Sequence, residues 1–490
     1  MSTAICSAAA LRAAACRNAG STPEPRRWAM FVILLVGAFL PPLDFFIVNV
    51  ALPSIQGDLG ASSSAEQLVI SSYAALYAVT LATGGRLGDL YGRGRMFFIG
   101  LLGFAAASAL CGFASSAWML VAGRALQGVT AAVMAPQALA SVQAIFPESE
   151  KPLAFSIYGA VFGLASVIGQ ALGGIFISLD LLGLGWRAIF LVNLPVVVLV
   201  VLFGIFLLKD TRAPKAQRPD LGGMVLSMVT LAALIVPLIE GRGAGWPWWS
   251  WVSLAVVPVL ARLFWRYQIR LSRAGGAPLL DPVALRAPGL GRALLIALLF
   301  YATGAFFLLL SVYLQGALHA TALSAGLVFL PFGLGYLVGP LTAPFFRRMV
   351  GAYVNPVALG LEAAGMIALI GLIRATPVGT VPATAPLAVI LFVAGFGQGL
   401  GMPSLMRMVT GRVAPAYSGM IAGVVTSTLQ LGTALSVAVI GGIFYDLMGG
   451  VTGPEGITHA FAVAVACIAG CLAVGAGLGV TLARREPSSA

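Results

Sequence analysis

Residues 40–53 read LPPLDFFIVNVALP, an apolar run in which a carboxylate, Asp44, follows two adjacent prolines. The rest of the chain has the same character. Of its 490 residues 60% are hydrophobic and 9% charged, and the mean hydropathy is +1.00. A soluble globular chain carries roughly 25% charged residues. An excess of this size, spread over many segments, indicates a polytopic membrane protein. The five cysteines, Cys6, Cys16, Cys111, Cys467 and Cys471, match no disulfide framework or zinc ligand spacing. Arginine far outnumbers lysine and alanine and glycine abound, as in chains from GC-rich bacterial genomes.

A bilayer core of about 30 Å needs about 20 apolar residues per helix. Runs of that kind fall at 28–52, 66–86, 96–114, 117–145, 153–178, 188–208 and 221–240, and then at 249–269, 291–313, 322–345, 354–374, 386–409, 418–445 and 459–483. Strands of a membrane barrel would be shorter and weaker. The expectation is an all-α protein with 14 transmembrane helices.

Basic residues set the orientation. With the N-terminus inside, all 28 basic residues except Arg124, Arg187, Arg242 and Arg374 fall in the tails, in the even-numbered, cytoplasmic connections or in the cytoplasmic ends of the adjoining spans. The formal charge of +12 is thereby topogenic and implies no nucleic acid. Residues 1–27 lack a sustained apolar core and read as a cytoplasmic tail, as do residues 486–490. Residues 28–208 form a first six-helix bundle and 291–485 a second. Between them 209–290 is a linker holding two further spans, entered through the charged, Pro-containing KDTRAPKAQRPD at 209–220. Trp246, Trp248, Trp249 and Trp251 between those two spans suit an interfacial aromatic belt, with an aromatic substrate cage as the alternative.

The halves carry a repeat. GRLGDLYGRGR (85–95) follows the second span and GPLTAPFFRRM (339–349) follows the tenth. In this register Gly85 meets Gly339, Leu87 meets Leu341 and Arg93 meets Arg347, whereas Asp89 meets Ala343. Gln127-Gly128 likewise has a counterpart in Gln398-Gly399. Facing, duplicated halves are a transporter architecture with the substrate site near midplane.

These residues resemble the major facilitator superfamily, specifically its fourteen-helix drug/proton antiporter branch. GRLGDLYGRGR matches the superfamily pattern G-x-L-x-D-x-x-G-R-x-R, and LDFFIVNVALP is similar to the first-helix signature L-D-x-T-x-V-N-V-A-L-P. RALQGVTAA (124–132) resembles R-x-x-Q-G-x-G-A-A, and WRAIFLVNLP (186–195) resembles W-R-x-x-F-x-x-N-x-P at the start of helix six. The resemblance covers residues 30–485. It implies the major facilitator fold, two six-helix bundles plus two linker helices.

Each motif has a physical reading. In the cytoplasmic motif Gly85, Gly88 and Gly92 permit close helix approach and a tight turn. Asp89 is placed to pair with Arg93 or with a helix N-terminus across the seam, which together with Arg95 makes a gate. A plain turn with topogenic arginines is the alternative. Arg124 lies within a span, where an arginine costs about 2.5–3.5 kcal/mol and needs an interior partner. Within the fourth-helix motif of Arg124, Gln127 and Gly128, the resemblance associates this arginine with proton coupling, and a structural ion pair or carbonyl clamp is its rival. In the fifth span Gly169, Gly173 and Gly174 match an antiporter motif ending G-P-x-x-G-G, with Gln170 in the place of its proline. These small residues are suited to packing against the second half, with generic small-residue packing as the alternative.

Counted from Trp28 at about 1.5 Å per residue, Asp44 falls in the outer half of the first span. Pro41 and Pro42 lack amide protons, so the carbonyls of Gly37 and Ala38 lose helical donors, which predicts a break beside the carboxylate. Burial favours its protonated form, making it a proton-coupling candidate, with a structural Asp bonded to a neighbouring helix as the alternative. Phe46 stands where the signature has threonine. In the second half Glu362, Gln398 and Arg407 are weaker candidates. Glu240 and Asp446 lie near span ends, and His319 and His459 are expected to be solvated.

The expected function is a secondary active transporter working by alternating access, with proton-coupled efflux of amphipathic drug-like compounds. A symporter or uniporter of one small metabolite on the same fold is the alternative, and a membrane enzyme or sensor a remote one. No H-E-x-x-H or G-x-x-x-x-G-K-[ST] stretch occurs, so neither a metal nor ATP hydrolysis is expected. The expected partners are a small organic substrate, protons and the lipid bilayer. No cofactor is expected, a proton gradient being the energy source. The expected location is the bacterial inner membrane, with both termini cytoplasmic.

Overall fold

The computed structural model describes residues 26–147, 149–180, 183–208, 210, 219–414, 418–450 and 453–484. The predicted tails, other than Arg26 and Arg27, and most of the basic 209–220 connection, including Lys209, Arg212, Lys215 and Arg218, lie outside them. The first half holds α1 (Arg27–Leu59), α2 (Ser63–Tyr91), α3 (Arg93–Gly112), α4 (Ala117–Ile145), α5 (Lys151–Leu179) and α6 (Asn193–Leu207), the last preceded by short turns over 185–191. Two further helices follow, α7 (Leu221–Gly243) and α8 (Trp248–Arg273). The second half begins with α9, which runs from Leu290 to Ala317 through a 3-10 turn at Tyr301–Thr303 and a wide turn at Tyr313–Ala317. It continues with α10 (Leu330–Val350), α11 (Val354–Ala375), α12 (Thr384–Thr410), α13 (Ser418–Ser436, prolonged to Gly450) and α14 (Pro454–Ala483).

Helix is the form in which an apolar segment satisfies its own backbone in lipid. The termini are finished by side chains. Ser62 accepts from Ala65 N, Ser116 from Met119 N, and Asp220 from Gly223 N. Twelve stretches of the described residues are long and apolar enough to cross a membrane, against the 14 expected. The difference falls in two places. One stretch, Ala322–Ala375, contains both α10 and α11, which are separated by a 3-10 turn at Gly351–Tyr353. In α5 the apolar part counted is the shorter Gly163–Leu179.

Contacts between helices follow the repeat. In the first half α2 and α3 pack on α4, and in the second α10 and α11 pack on α12. Between halves α2 lies against α13 and α5 against α10, while α1 meets α9. Exchanging the halves turns the first of these seams into the second. The extra helices are attached asymmetrically, with α7 on α2 and α8 on α7.

Two expectations change. α1 is one continuous helix through Pro41 and Pro42, so no break occurs beside Asp44. The Tyr73 hydroxyl donates to the Pro41 carbonyl at 3.1 Å. The helix also extends to Leu59, which moves Asp44 from the outer half to near its midpoint. The repeat register is different as well. α2 ends at Gly92, φ 108, and α10 at Gly351, φ 56, so these glycines are structural counterparts. Arg93 opens α3, whereas Arg347 lies inside α10, and the letter match of Arg93 with Arg347 is displaced by more than a turn.

Candidate functional site

Asp44, fully buried on α1, is ion-paired with Arg124 Nη1 of α4, itself fully buried. Its other oxygen, Oδ1, accepts from Gln127 Nε2 at 3.0 Å and from Asn193 Nδ2 of α6 at 3.2 Å. Arg124 Nη1 also donates to Gln127 Oε1 at 2.7 Å, and Nε donates to the Val69 carbonyl at 3.1 Å. Ser108 of α3 closes the set, accepting from Gln127 Nε2 at 2.8 Å and from Asn193 at 3.2 Å. The Arg124 guanidinium stands 4.4 Å from the centre of the Tyr73 ring, where the ring face attracts a cation. A carboxylate bonded to three donors on two helices is matched in charge as well as in hydrogen bonds. Both rivals posed for Arg124, ion pair and carbonyl clamp, are thus present geometrically.

The sequence identified Asp44, Arg124 and Gln127 but not Asn193, Ser108 or Tyr73 as their partners. Asn193 had a signal, since it is the asparagine of WRAIFLVNLP. The same motif ties the other end of α1, where Trp186 Nε1 and Arg187 Nη1 donate to Asp58 at 2.9 and 2.6 Å.

Beside this network a cavity lies between the halves. Pro41, Pro42, Phe45 and Phe46 of α1 and Tyr73 and Tyr77 of α2 face Tyr301, Gly304 and Phe307 of α9, Tyr336, Gln398, and Gln430 and Thr433 of α13. Tyr73 thus separates the cavity from Arg124. Phe46, the departure from the threonine pattern, packs edge-to-face on Phe307 of the opposite half with centroids 5.0 Å apart. The space left is ≈ 50 Å³, well short of the roughly 300–1,000 Å³ of a drug-sized pocket. The halves are therefore drawn together here. Gln315 Nε2 donates to the Val50 carbonyl at 3.0 Å and the Tyr445 hydroxyl to Glu66 Oε2 at 2.6 Å, both on the predicted outer side. Nearer the middle, Ser427 donates to the Ala78 carbonyl at 2.6 Å.

In the 85–95 turn Asp89 pairs with Arg93 at 3.0 Å, and Arg93 also donates to the Ala140 carbonyl at 3.1 Å. Arg95 pairs with Asp210 at 3.3 Å. A Cβ on Gly92 would meet the Asp210 carboxylate at 2.1 Å. These contacts stay within the first half and its exit. Arg86 reaches further, donating to the Ala277 and Pro278 carbonyls ahead of α9. The close approach expected of Gly85 belongs to its neighbours. A Cβ at Gly85 would find its nearest atom at 3.8 Å, whereas one at Gly84 would meet the Ala132 carbonyl oxygen at 2.0 Å. Gly128 does the same against the Tyr73 carbonyl at 2.4 Å, and Gly399 against that of Tyr336 at 2.4 Å.

The α5 glycines divide their contacts. Gly174 abuts Ala322 and Leu323 of the second half, but Gly169 and Gly173 abut α1 of their own half. Gln170 is buried with neither amide atom partnered, and Gly326 of the second half rests on its carbonyl. Glu362 is buried on α11 and accepts from Thr303 at 2.5 Å. Gln398 lines the cavity with Oε1 unpartnered, about one turn further along its helix than Gln127 is along α4. Arg407 is exposed near the end of α12, apart from both. His319 and His459 are exposed, and among the described residues no cluster suits a metal ion.

Two facing helical halves with a narrow cavity between them define a multi-pass membrane transporter rather than an enzyme. The Major Facilitator Superfamily model matches residues 34–437, and the chain belongs to that superfamily. It is 37% identical over 480 residues to the puromycin resistance protein pur8 of Streptomyces alboniger, covering 95% of this chain and 92% of that one. It is 36% identical over 447 residues to the probable actinorhodin transporter of Streptomyces coelicolor, covering 88% and 75%. The tetracenomycin C resistance and export protein of Streptomyces glaucescens is 30% identical over 437 residues, covering 87% and 77%. A solved bacterial homologue of the human drug peptide transporters PepT1 and PepT2 superposes with a TM-score of 0.65 at 15% identity, over 93% of this chain and 98% of that one. That likeness concerns the fold.

Proposed function

We propose that this protein exports amphipathic, drug-like organic compounds across the bacterial inner membrane, with both termini cytoplasmic and inward proton movement as the energy source. The halves 28–208 and 291–485 alternate access to the cavity between them. Its substrates are of the kind given in the relatives' names: actinorhodin, puromycin, tetracenomycin C. The observation that carries this reading is the aromatic cavity walled by both halves, one ring away from the buried Asp44–Arg124 pair. Seven aromatic rings with glutamine and threonine between them suit a flat, largely apolar ligand that needs a few hydrogen bonds. A proton reaching Asp44 would release Arg124, and the freed guanidinium would need new partners, which couples the charge of α1 to the packing of α4. The turn at Gly85, Asp89, Gly92, Arg93 and Arg95 holds α2 to α3 on the cytoplasmic side as the bundle moves.

The test is transport in proteoliposomes with an imposed pH gradient, reading drug movement and proton release together. Drug accumulation that follows the gradient, with protons moving the opposite way, is the expected result. Protons moving in the same direction as substrate would make it a symporter. Asp44→Asn is expected to abolish gradient-driven export while the protein still reaches the membrane. Unchanged export with its gradient dependence intact would remove Asp44 from the coupling path.

A further inference from the structure

The first half holds its buried carboxylate against an arginine. The second half holds one without. Glu362 on α11 is fully buried, and among the described residues its hydrogen-bond partner is the Thr303 hydroxyl, at 2.5 Å from Oε1. Its second oxygen, Oε2, has no partner. The titratable groups around it are the hydroxyls of Tyr301 on α9 and Tyr336 on α10, and α12 presents the backbone of Gly397. No arginine, lysine or histidine is paired with it among the described residues. An ionised carboxylate buried without a counter-charge is very costly, and such a group takes up a proton instead.

The surroundings accept that proton. Thr303 lies in the 3-10 turn of α9, with its hydroxyl 3.4 Å from the Phe300 carbonyl. When Glu362 is charged, Thr303 donates to it. When Glu362 carries a proton on Oε1, that O–H donates to Thr303 Oγ1, whose own hydrogen turns to Phe300. The same turn also faces the cavity, through Tyr301 and the adjoining Gly304, and Tyr336 and Gln398 complete that wall. Asp44 differs in kind, because Arg124 is its counter-charge and Gln127 and Asn193 add two further hydrogen bonds.

We propose that Glu362 is a proton-binding site of the second half, loaded from the central cavity through the Tyr301–Thr303 turn, and that in this conformation it holds a proton while Asp44 stays ion-paired. This deepens the proton-coupled reading above and rests on it for its role in transport. No bond other than the O–H forms or breaks: a proton passes from cavity water to the carboxylate, and returns to water when the cavity faces the other side.

The experiment is labelling of the full-length wild-type protein in membranes with dicyclohexylcarbodiimide, which attacks protonated carboxyl groups in apolar surroundings, followed by mass spectrometry of the peptides. Glu362 is expected to be modified and Asp44 spared. Above the midpoint the labelling of Glu362 should fall about tenfold per pH unit. Labelling of Asp44 in place of Glu362, or labelling of Glu362 that ignores pH, overturns the proposal, as does absence of label at Glu362 throughout. As a second reading, Glu362→Gln should delete the carboxylic acid band that pH difference infrared spectra show in the wild type, while Glu362→Asp keeps it. An unchanged band in Glu362→Gln also overturns the assignment. Labelling needs no export, so a protein labelled at Glu362 that moves no drug sinks the exporter reading and leaves the proton site. Export with Glu362 unlabelled does the reverse.

Discussion

The Tyr445 hydroxyl donates to Glu66 at 2.6 Å, joining α13 to α2 on the predicted outer side while Glu66 Oε1 has no partner. Arg242, paired at 3.1 Å with Asp446 next door, ties the linker to the same corner. Removing the phenol hydroxyl in Tyr445→Phe leaves a buried carboxyl group unpartnered, a loss of about 1–3 kcal/mol. Conformations separated at this side should gain by roughly 5- to 150-fold. Spin labels at Gln56 and Gly449 measure this as a growing long-distance population, and an unaltered distance distribution would show that the bond does not hold the seam.

Asp44 and Arg124 stabilise the fold only together. Replacing Arg124 with glutamine leaves a buried carboxylate uncompensated, a loss of about 3–5 kcal/mol. Asp44→Asn combined with Arg124→Gln should recover a large part of it, since two amides can take over the hydrogen bonds of Gln127 and Asn193. Thermal unfolding of the single and double variants in detergent checks this, and additive losses would contradict the pairing.

Adjacent glycines in the 85–95 region should behave oppositely. Gly84→Ala drives a methyl group into the Ala132 carbonyl, forcing α2 and α4 apart, whereas Gly85→Ala makes only an ordinary van der Waals contact with Pro136 at 3.8 Å. Overpacking of this kind costs about 1–3 kcal/mol. Yield of folded protein from membranes should fall for Gly84→Ala and hold for Gly85→Ala.

Phe46→Thr restores the residue of the first-helix signature and removes the ring that meets Phe307 across the cavity. The enlarged space should favour bulkier substrates, shifting the ratio of resistance to large over small compounds by roughly tenfold. Resistance profiles in a pump-deleted host measure that ratio, and a uniform fall for all compounds would mean that Phe46 serves packing alone.

Charge against an apolar background made Asp44, Arg124 and Glu362 visible in the sequence, and the basic residues outside the spans made an orientation readable. Their partners were not visible, because Asp44, Arg124 and Asn193 sit on three helices and meet only when the bundle closes. Polar groups with no charge, such as Ser108 and the Val69 carbonyl, leave no trace in a hydropathy scan. The repeat was legible but misregistered. Matching Arg93 to Arg347 follows letters, while the fold matches the residues that end α2 and α10, Gly92 and Gly351. The prolines of α1 misled in a further way. They remove amide donors without ending the helix, which runs unbroken from Arg27 to Leu59.

That last feature has a mechanical side. Pro41, Pro42 and Pro53 leave α1 without three amide donors, so the helix has a lower bending stiffness than its neighbours around Asp44. Its neighbour α4 has a single internal proline, Pro136, and is held close to α2 by Gly128. α1, with three such prolines, can instead flex below the Asp58 anchor at its far end. A change of charge at Asp44 would then be absorbed as curvature of one helix before it becomes rotation of a whole half.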